Sequence, residues 1–237
     1  MTYKGFRMPQ LTSGILIQRY KRFLADIELE TGEKVTAHCP NSGSMKGCAI
    51  PGSPVWFSKS DNPKRKYKDT WELIKVPGTM IGINTLVPNK LVKLSIENNL
   101  IKPLSGYDKV KAEVKTSSHT RLDLLLEKEG EKKCYVEIKN CTLVEEEAAM
   151  FPDAVTTRGQ KHLDELERLV SLGHRGVIFF LIQRMDASVF KPAEMIDKVY
   201  AEKLRKAVQK GVEIIAMDAV INLEWIRIRN TIAVDLD

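Results

Sequence analysis

The chain has 237 residues, 43% hydrophobic and 29% charged, the make-up of a globular protein with one large domain or two modest ones. No apolar run reaches the roughly 18 residues of a membrane helix, and the first five residues hold no secretory core. A helical membrane span is excluded, and the cytoplasm is the expected compartment. The net charge of +6 falls in one place: residues 1–82 hold 13 Lys+Arg against 7 Asp+Glu, and residues 83–237 hold 24 of each. A field concentrated that way favours a polyanionic partner, nucleic acid before an acidic membrane; the plainer reading is a basic surface that only keeps the chain soluble.

The first 82 residues read as short strands between turns. Phe23, Ala25, Ile27 and Leu29 alternate with polar neighbours, and Thr31-Gly32 offers a turn before Val35 and Ala37. Strands are predicted again at 55–57 and 71–74, with loops at 41–44 and 50–52. This spacing suggests a small barrel or sandwich. Asp61-Asn62-Pro63 is a turn, and Lys64, Arg65, Lys66, Tyr67 and Lys68 follow it. Four cations around one ring suit a nucleic-acid backbone, with the tyrosine free to stack on a base; a solvated loop is the alternative. Arg19, Lys21, Arg22 and Lys46 are candidates to extend the patch.

From Pro88 the texture changes to α/β. A helix holds Leu91, Leu94 and Ile96 and ends near Asn98-Asn99. Val110, Ala112 and Val114 alternate with charges as a half-buried strand. Strands at 122–126 and 134–138 are joined by a polar stretch. Leu163, Leu166, Leu169 and Val170 mark a helix that Gly173 terminates. Residues 177–182 are apolar on both faces, as a central strand in a parallel crossover would be. A last helix through Tyr200 and Leu204 stops at Gly211 and leads to a strand at 212–216. Residues 83–237 are therefore expected to fold alone, with a cleavable link near 78–84. Cys39, Cys48, Cys134 and Cys141 form no C-x-x-C, and His38, His119, His162 and His174 are scattered. Buried thiols are expected rather than a disulfide or zinc site.

The chemistry-bearing pattern is Asp123, with Glu137 and Lys139 fourteen and sixteen residues on. Residues two apart on a strand share a face, so Glu137 and Lys139 point together while Val136 and Ile138 enter the core. Asp123 lies across the hairpin. Two carboxylates and an ammonium on one sheet surface suit phosphodiester hydrolysis with Mg²⁺ or Mn²⁺, the acids as metal ligands and the lysine on the water. Glu113 is a candidate auxiliary acid. The competing reading is a set of cross-strand charge pairs that only solubilise a sheet. Arg158, Gln160, Lys161 and His162 open the following helix, and that end would face the carboxylate edge and attract phosphate; a merely solvated helix face is the equal alternative.

Longer stretches carry a resemblance. Residues 16–26, the run His38-Cys39-Pro40-Asn41-Ser42-Gly43-Ser44-Met45, Ser60-Asp61-Asn62 with Lys64–Tyr67, Leu104–Tyr107, Glu113–Lys115, Phe151–Thr156 and Arg158–Leu163 together resemble the sugar fermentation stimulation protein A (SfsA) family. That resemblance implies a small all-β OB-fold domain (1–82) before an α/β domain (83–237) with a restriction-endonuclease-like, PD-(D/E)xK core, its signature at Asp123, Glu137 and Lys139. It also implies DNA binding with little sequence preference and a regulatory link to sugar (maltose) metabolism. Asn140 and Cys141 stand where relatives carry Ser and Val. The combined expectation is a DNA-binding, metal-dependent nuclease with no small-molecule cofactor, no membrane partner and a homodimer left open. The alternative is a non-catalytic DNA-binding regulator on an inactive nuclease fold. A sugar-binding role has no distinctive residue behind it.

Overall fold

The computed structural model describes residues 5–118 and 120–237; His119 and residues 1–4 lie outside the described residues. In chain order the elements are β1 (Phe6–Arg7), β2 (Leu11–Tyr20), β3 (Leu24–Glu28), β4 (Lys34–His38), β5 (Pro54–Lys59), β6 (Asp69–Val76), β7 (Thr79–Gly82) and α1 (Val87–Glu97). They continue as β8 (Lys109–Lys115), β9 (Arg121–Glu127), β10 (Cys134–Cys141), β11 (Leu143–Glu145), β12 (Ala148–Phe151), α2 (Thr157–Ser171) and β13 (Arg175–Ile182). The chain closes with β14 (Val189–Pro192), α3 (Lys198–Gln209), β15 (Glu213–Ile221), β16 (Trp225–Thr231) and β17 (Ala233–Val234). No helix among these is long and apolar enough to cross a membrane.

A six-stranded sheet, β4-β3-β2-β5-β6-β7, curls until His38 of β4 pairs in parallel with Thr70 of β6. That contact makes the predicted barrel. β2 went unforeseen because its alternation is broken: Leu16 and Ile17 sit side by side at a register shift between Leu16 and Gln18.

The second sheet has the order β1-β16-β15-β13-β10-β9-β8. β13 runs parallel to both β10 and β15, so its side chains meet protein on both faces, and residues 176–182 are all buried. The crossovers pass through α2 and α3. Thr156 caps α2 by accepting from the Gly159 amide at 3.1 Å, and Asp197 caps α3 by accepting from Tyr200 at 2.9 Å. A small sheet, β11-β12-β14-β17, lies beside them. β8, expected to be half-buried, is an edge strand: Ala112 is exposed, and only Val110 and Val114 are partly covered.

The core ignores the expected division at residue 82. One apolar cluster joins Met8 and Leu73 to Val87 and Leu91 of α1, Val136 and Ile138 of β10, and Phe179 of β13, with Trp56 and Met80 packed against it. The amide of Gly82 donates to the Gln183 carbonyl at 3.0 Å, and the Gln183 amide group reaches the Gly82 carbonyl at 3.3 Å. β1, at the start of the chain, pairs with β16 near its end. All four cysteines are buried and free.

Candidate active site at the junction of barrel and sheet

β9 and β10 pair as an antiparallel hairpin from Cys134↔Leu126 to Val136↔Leu124. Beyond that point Asp123 replaces the ladder with its side chain: Oδ2 accepts from the Ile138 amide at 2.7 Å. Its other oxygen accepts from Asn89 Nδ2, on α1, at 2.7 Å. Glu137 and Lys139 share the face predicted for them, with Lys139 Nζ 2.6 Å from Glu137 Oε1. The α2 residue His162 supplies the other partner, its Nδ1 meeting the same Glu137 oxygen. Arg158 Nε donates to His162 Nε2 at 3.4 Å, so Nδ1 is the nitrogen that carries its proton toward Glu137. Glu137 Oε2 is buried and has no hydrogen-bond partner.

Electrostatics separates the two acids. Burial, and then the charge of Glu137, push Asp123 up to about 6; the Ile138 amide, Lys139 and Asn89 oppose them. Glu137 is more deeply buried, which disfavours its charge, yet Lys139 and His162 together hold it below the ordinary carboxylate range. The resting site therefore has one firmly ionised acid and one that is readily protonated.

Both acids line a cavity of about 500 Å³. Its other walls include Arg158, Asp153 and, from the barrel, Arg22, Asn41 and Ser42. Asp153 fastens the barrel loop over the site by accepting from the Met45 amide at 3.1 Å. Gly43 sits close against Asp153: a Cβ there would overlap the carboxylate, which would have to move from the Met45 amide.

Other expected site residues fall elsewhere. Glu113 does not line that cavity: it is exposed, 3.5 Å from Arg121, on a neighbouring cavity shared with Arg158, Lys161 and His162. Its φ of 55° lies in the left-handed region, within β8. Arg19 is not a free cation, since its guanidinium donates to the carbonyls of Arg22 (2.6 Å), Asn41 (3.0 Å) and Gly43 (2.8 Å). Lys46 is ion-paired to Glu145 at 2.6 Å, tying the barrel to β11. Lys64, Lys66 and Lys68 are exposed on the β5–β6 loop, with Arg65 and Tyr67 partly covered; Lys66 Nζ lies 5.5 Å from the centre of the Tyr67 ring. None of the five lines the carboxylate cavity. Sequence reasoning passed over Asn89, Asp153 and the roof residues Asn41 and Ser42, because single polar residues on separate loops make no spaced pattern.

The SfsA N-terminal OB domain matches residues 17–83, and the Sugar fermentation stimulation protein RE domain matches residues 86–225. The chain belongs to the sugar fermentation stimulation protein family. Homologs so named from Pelobacter propionicus and Geobacter sulfurreducens are 55% and 54% identical to it. The matches cover 97% and 94% of this chain, and 100% and 96% of theirs. The solved structure of Pyrococcus furiosus SfsA in complex with Ca²⁺ matches with a TM-score of 0.89 at 29% identity, covering 99% of this chain and 100% of that one. The barrel built by β2–β6 is thus an OB domain, and the family's two-part order runs the length of the chain.

Proposed function

We propose that this SfsA family member is a DNA-binding, metal-dependent nuclease whose α/β half has a restriction-endonuclease-like core. The observation that carries the reading is the pair of half-buried Asp123 and buried Glu137 beside Lys139, with one Glu137 oxygen left unpartnered. A buried oxygen without a partner is costly unless a ligand meets it. No group of three or more acids, histidines or cysteines gathers to hold a metal among the described residues; the two carboxylates are oxygen donors of the kind Mg²⁺ and Mn²⁺ take, and water and substrate oxygens would have to complete the shell. The Ca²⁺ complexed by the Pyrococcus furiosus protein is a cation of the same oxygen-preferring class. Asp123 and Glu137 would hold the ion, which supplies Lewis acidity toward a phosphate oxygen and lowers the pKa of water.

The chain's own groups do the rest. Lys139 has three donors and commits one to Glu137, leaving others to orient a water or a phosphate oxygen. Arg22 and Arg158 bring positive charge to the cavity and draw phosphate in. His162 fixes the Glu137 carboxylate so that Oε2 stays available. The exposed lysines of the β5–β6 loop hold the DNA backbone away from the reacting bond.

Thermal melting with and without Mg²⁺ or Mn²⁺, followed by cleavage of single-stranded, branched and duplex DNA, tests the reading. The wild type should gain stability with metal, as expected when an ion binds only the folded state. Asp123→Asn should lose most of that gain, and Lys139→Ala should keep it while losing cleavage. No metal-dependent shift, with or without DNA, would sink the nuclease assignment. A shift with no cleavage of any substrate would leave a DNA-binding protein on an inert nuclease fold.

A further inference from the structure

The β2–β3 turn carries a ring in an unusual place. Phe23 is 51% exposed and is the only exposed aromatic side chain among the described residues. It follows Lys21 and Arg22, whose φ angles of 49° and 66° put two non-glycine residues in succession in the left-handed region. Such a turn ordinarily recruits Asn-Gly, so the conformation is held by its surroundings. The braces are visible. The Arg19 guanidinium ties the Arg22 carbonyl to those of Asn41 and Gly43, and the Cys39 amide donates to the Phe23 carbonyl at 2.8 Å. The same Asn41–Met45 loop is fastened to Asp153. A rigid chain of contacts therefore links an outward-facing ring to the cavity of Asp123 and Glu137, and Arg22, next to that ring, lines the cavity.

The surroundings of the turn are cationic and aromatic. Leu24 pairs with His38, whose imidazole is kept below its ordinary pKa by burial and then by the nearby Arg65. Tyr20, at the base of the turn, is raised by burial first, with Asp26 and Tyr67 adding. The basic loop thus lies alongside the turn. Lys21 and Arg22 precede the exposed Phe23, and Lys66 lies against the Tyr67 ring on the basic loop; cations beside rings are the pattern of a surface that holds phosphates and stacks unpaired bases.

We infer that Phe23 is a base-stacking platform for an unpaired DNA nucleotide, so that the carboxylate cavity receives single-stranded DNA passing over the β2–β3 turn. The inference rests on the proposed action on DNA and adds the substrate class. Paired bases already stack on each other, so a ring must unstack a duplex step, at an energetic cost, before it can use a base face; a strand with free base faces gains from the ring without that cost.

Equilibrium binding by fluorescence anisotropy, in Ca²⁺, tests this on the full chain with three probes of equal length: oligo-dT, an abasic oligomer and a duplex. Phe23→Ala should weaken oligo-dT binding about tenfold. It should leave the abasic oligomer and the duplex within about twofold, with the melting temperature unchanged. Phe23→Trp should restore oligo-dT binding. Unchanged oligo-dT affinity in Phe23→Ala, equal losses on all three probes, or no rescue by tryptophan would overturn the stacking role and leave the nuclease reading standing. If the wild type binds none of the probes, the action on DNA falls and takes this inference with it.

Discussion

At the scale of single residues, the two acids are not equivalent, and their substitutions should part company. Asp123 is raised from 3.8 to about 6. A carboxyl with a raised folded-state pKa favours folding below its unfolded pKa, and that stability is lost as pH rises through about 6. The cost at neutral pH is on the order of 3 kcal/mol. Asp123→Asn keeps the shape and one acceptor, for the Ile138 amide, while Asn89 must turn its amide to accept from the new NH₂. With the charge gone, it should melt higher than the wild type without metal at pH 7.5 and lose that advantage near pH 4. Calorimetry at the two pH values checks this. Glu137 behaves oppositely, because Lys139 and His162 depend on its charge. Glu137→Gln leaves a nearly buried ammonium without its counter-ion and should lower stability by about 3 kcal/mol. Reading Glu137 and Lys139 as neighbours required only the strand period, and it was legible. The inequality between the acids was not, since it depends on His162 arriving from a helix 25 residues away.

Elements built from clean patterns were also legible: the apolar run 177–182 of β13, the leucine face of α2 and the β9–β10 hairpin follow from the periods of strand and helix. What was lost lies where a local irregularity carries the function. The shift in β2 hides a ten-residue strand, and the positive φ of Glu113 turns a plausible site acid toward solvent. The roof of the cavity depends on close approach of backbone to carboxylate at Gly43, and nothing in a sequence marks which glycine is approached. Gly43→Ala should displace the Asn41–Met45 loop, lower the melting temperature by an amount equivalent to about 1–3 kcal/mol, and weaken metal-supported DNA cleavage more than metal binding. Gly47→Ala, next to open space but at a φ of 75°, should cost stability while leaving cleavage per folded molecule unchanged. Parallel melting and single-turnover assays separate the two.

For the whole molecule, charge asymmetry pointed to the barrel as the binding half, and the structure keeps the β5–β6 loop exposed there. Replacing Lys64, Arg65, Lys66 and Lys68 with alanine should flatten the dependence of log affinity on log salt by about 0.7 for each single-strand phosphate no longer neutralised. An unchanged slope would remove the loop from the interface. A sequence shows which residues are apolar and not which ones meet, so it does not reveal a core shared across residue 82. Leu73, Trp56 and Met80 belong with the core of the large sheet. The full chain should unfold in one calorimetric transition, and a fragment of 83–237 should bind hydrophobic dye and aggregate.

The pairing of Phe6 with Ile226 has a consequence for synthesis. A chain still on the ribosome already carries Asp123, Glu137 and Lys139, but its first strand has no edge to join until residues 225–231 emerge. Pairings that span nearly the full sequence form last and slow the final folding step. A copy truncated before Trp225 would hold every reactive group of the site without the strand that ties start to finish, and it would offer proteases an open sheet edge. If the proposed nuclease assignment holds, that order of events would expose incomplete copies to proteolysis before their site is fully supported.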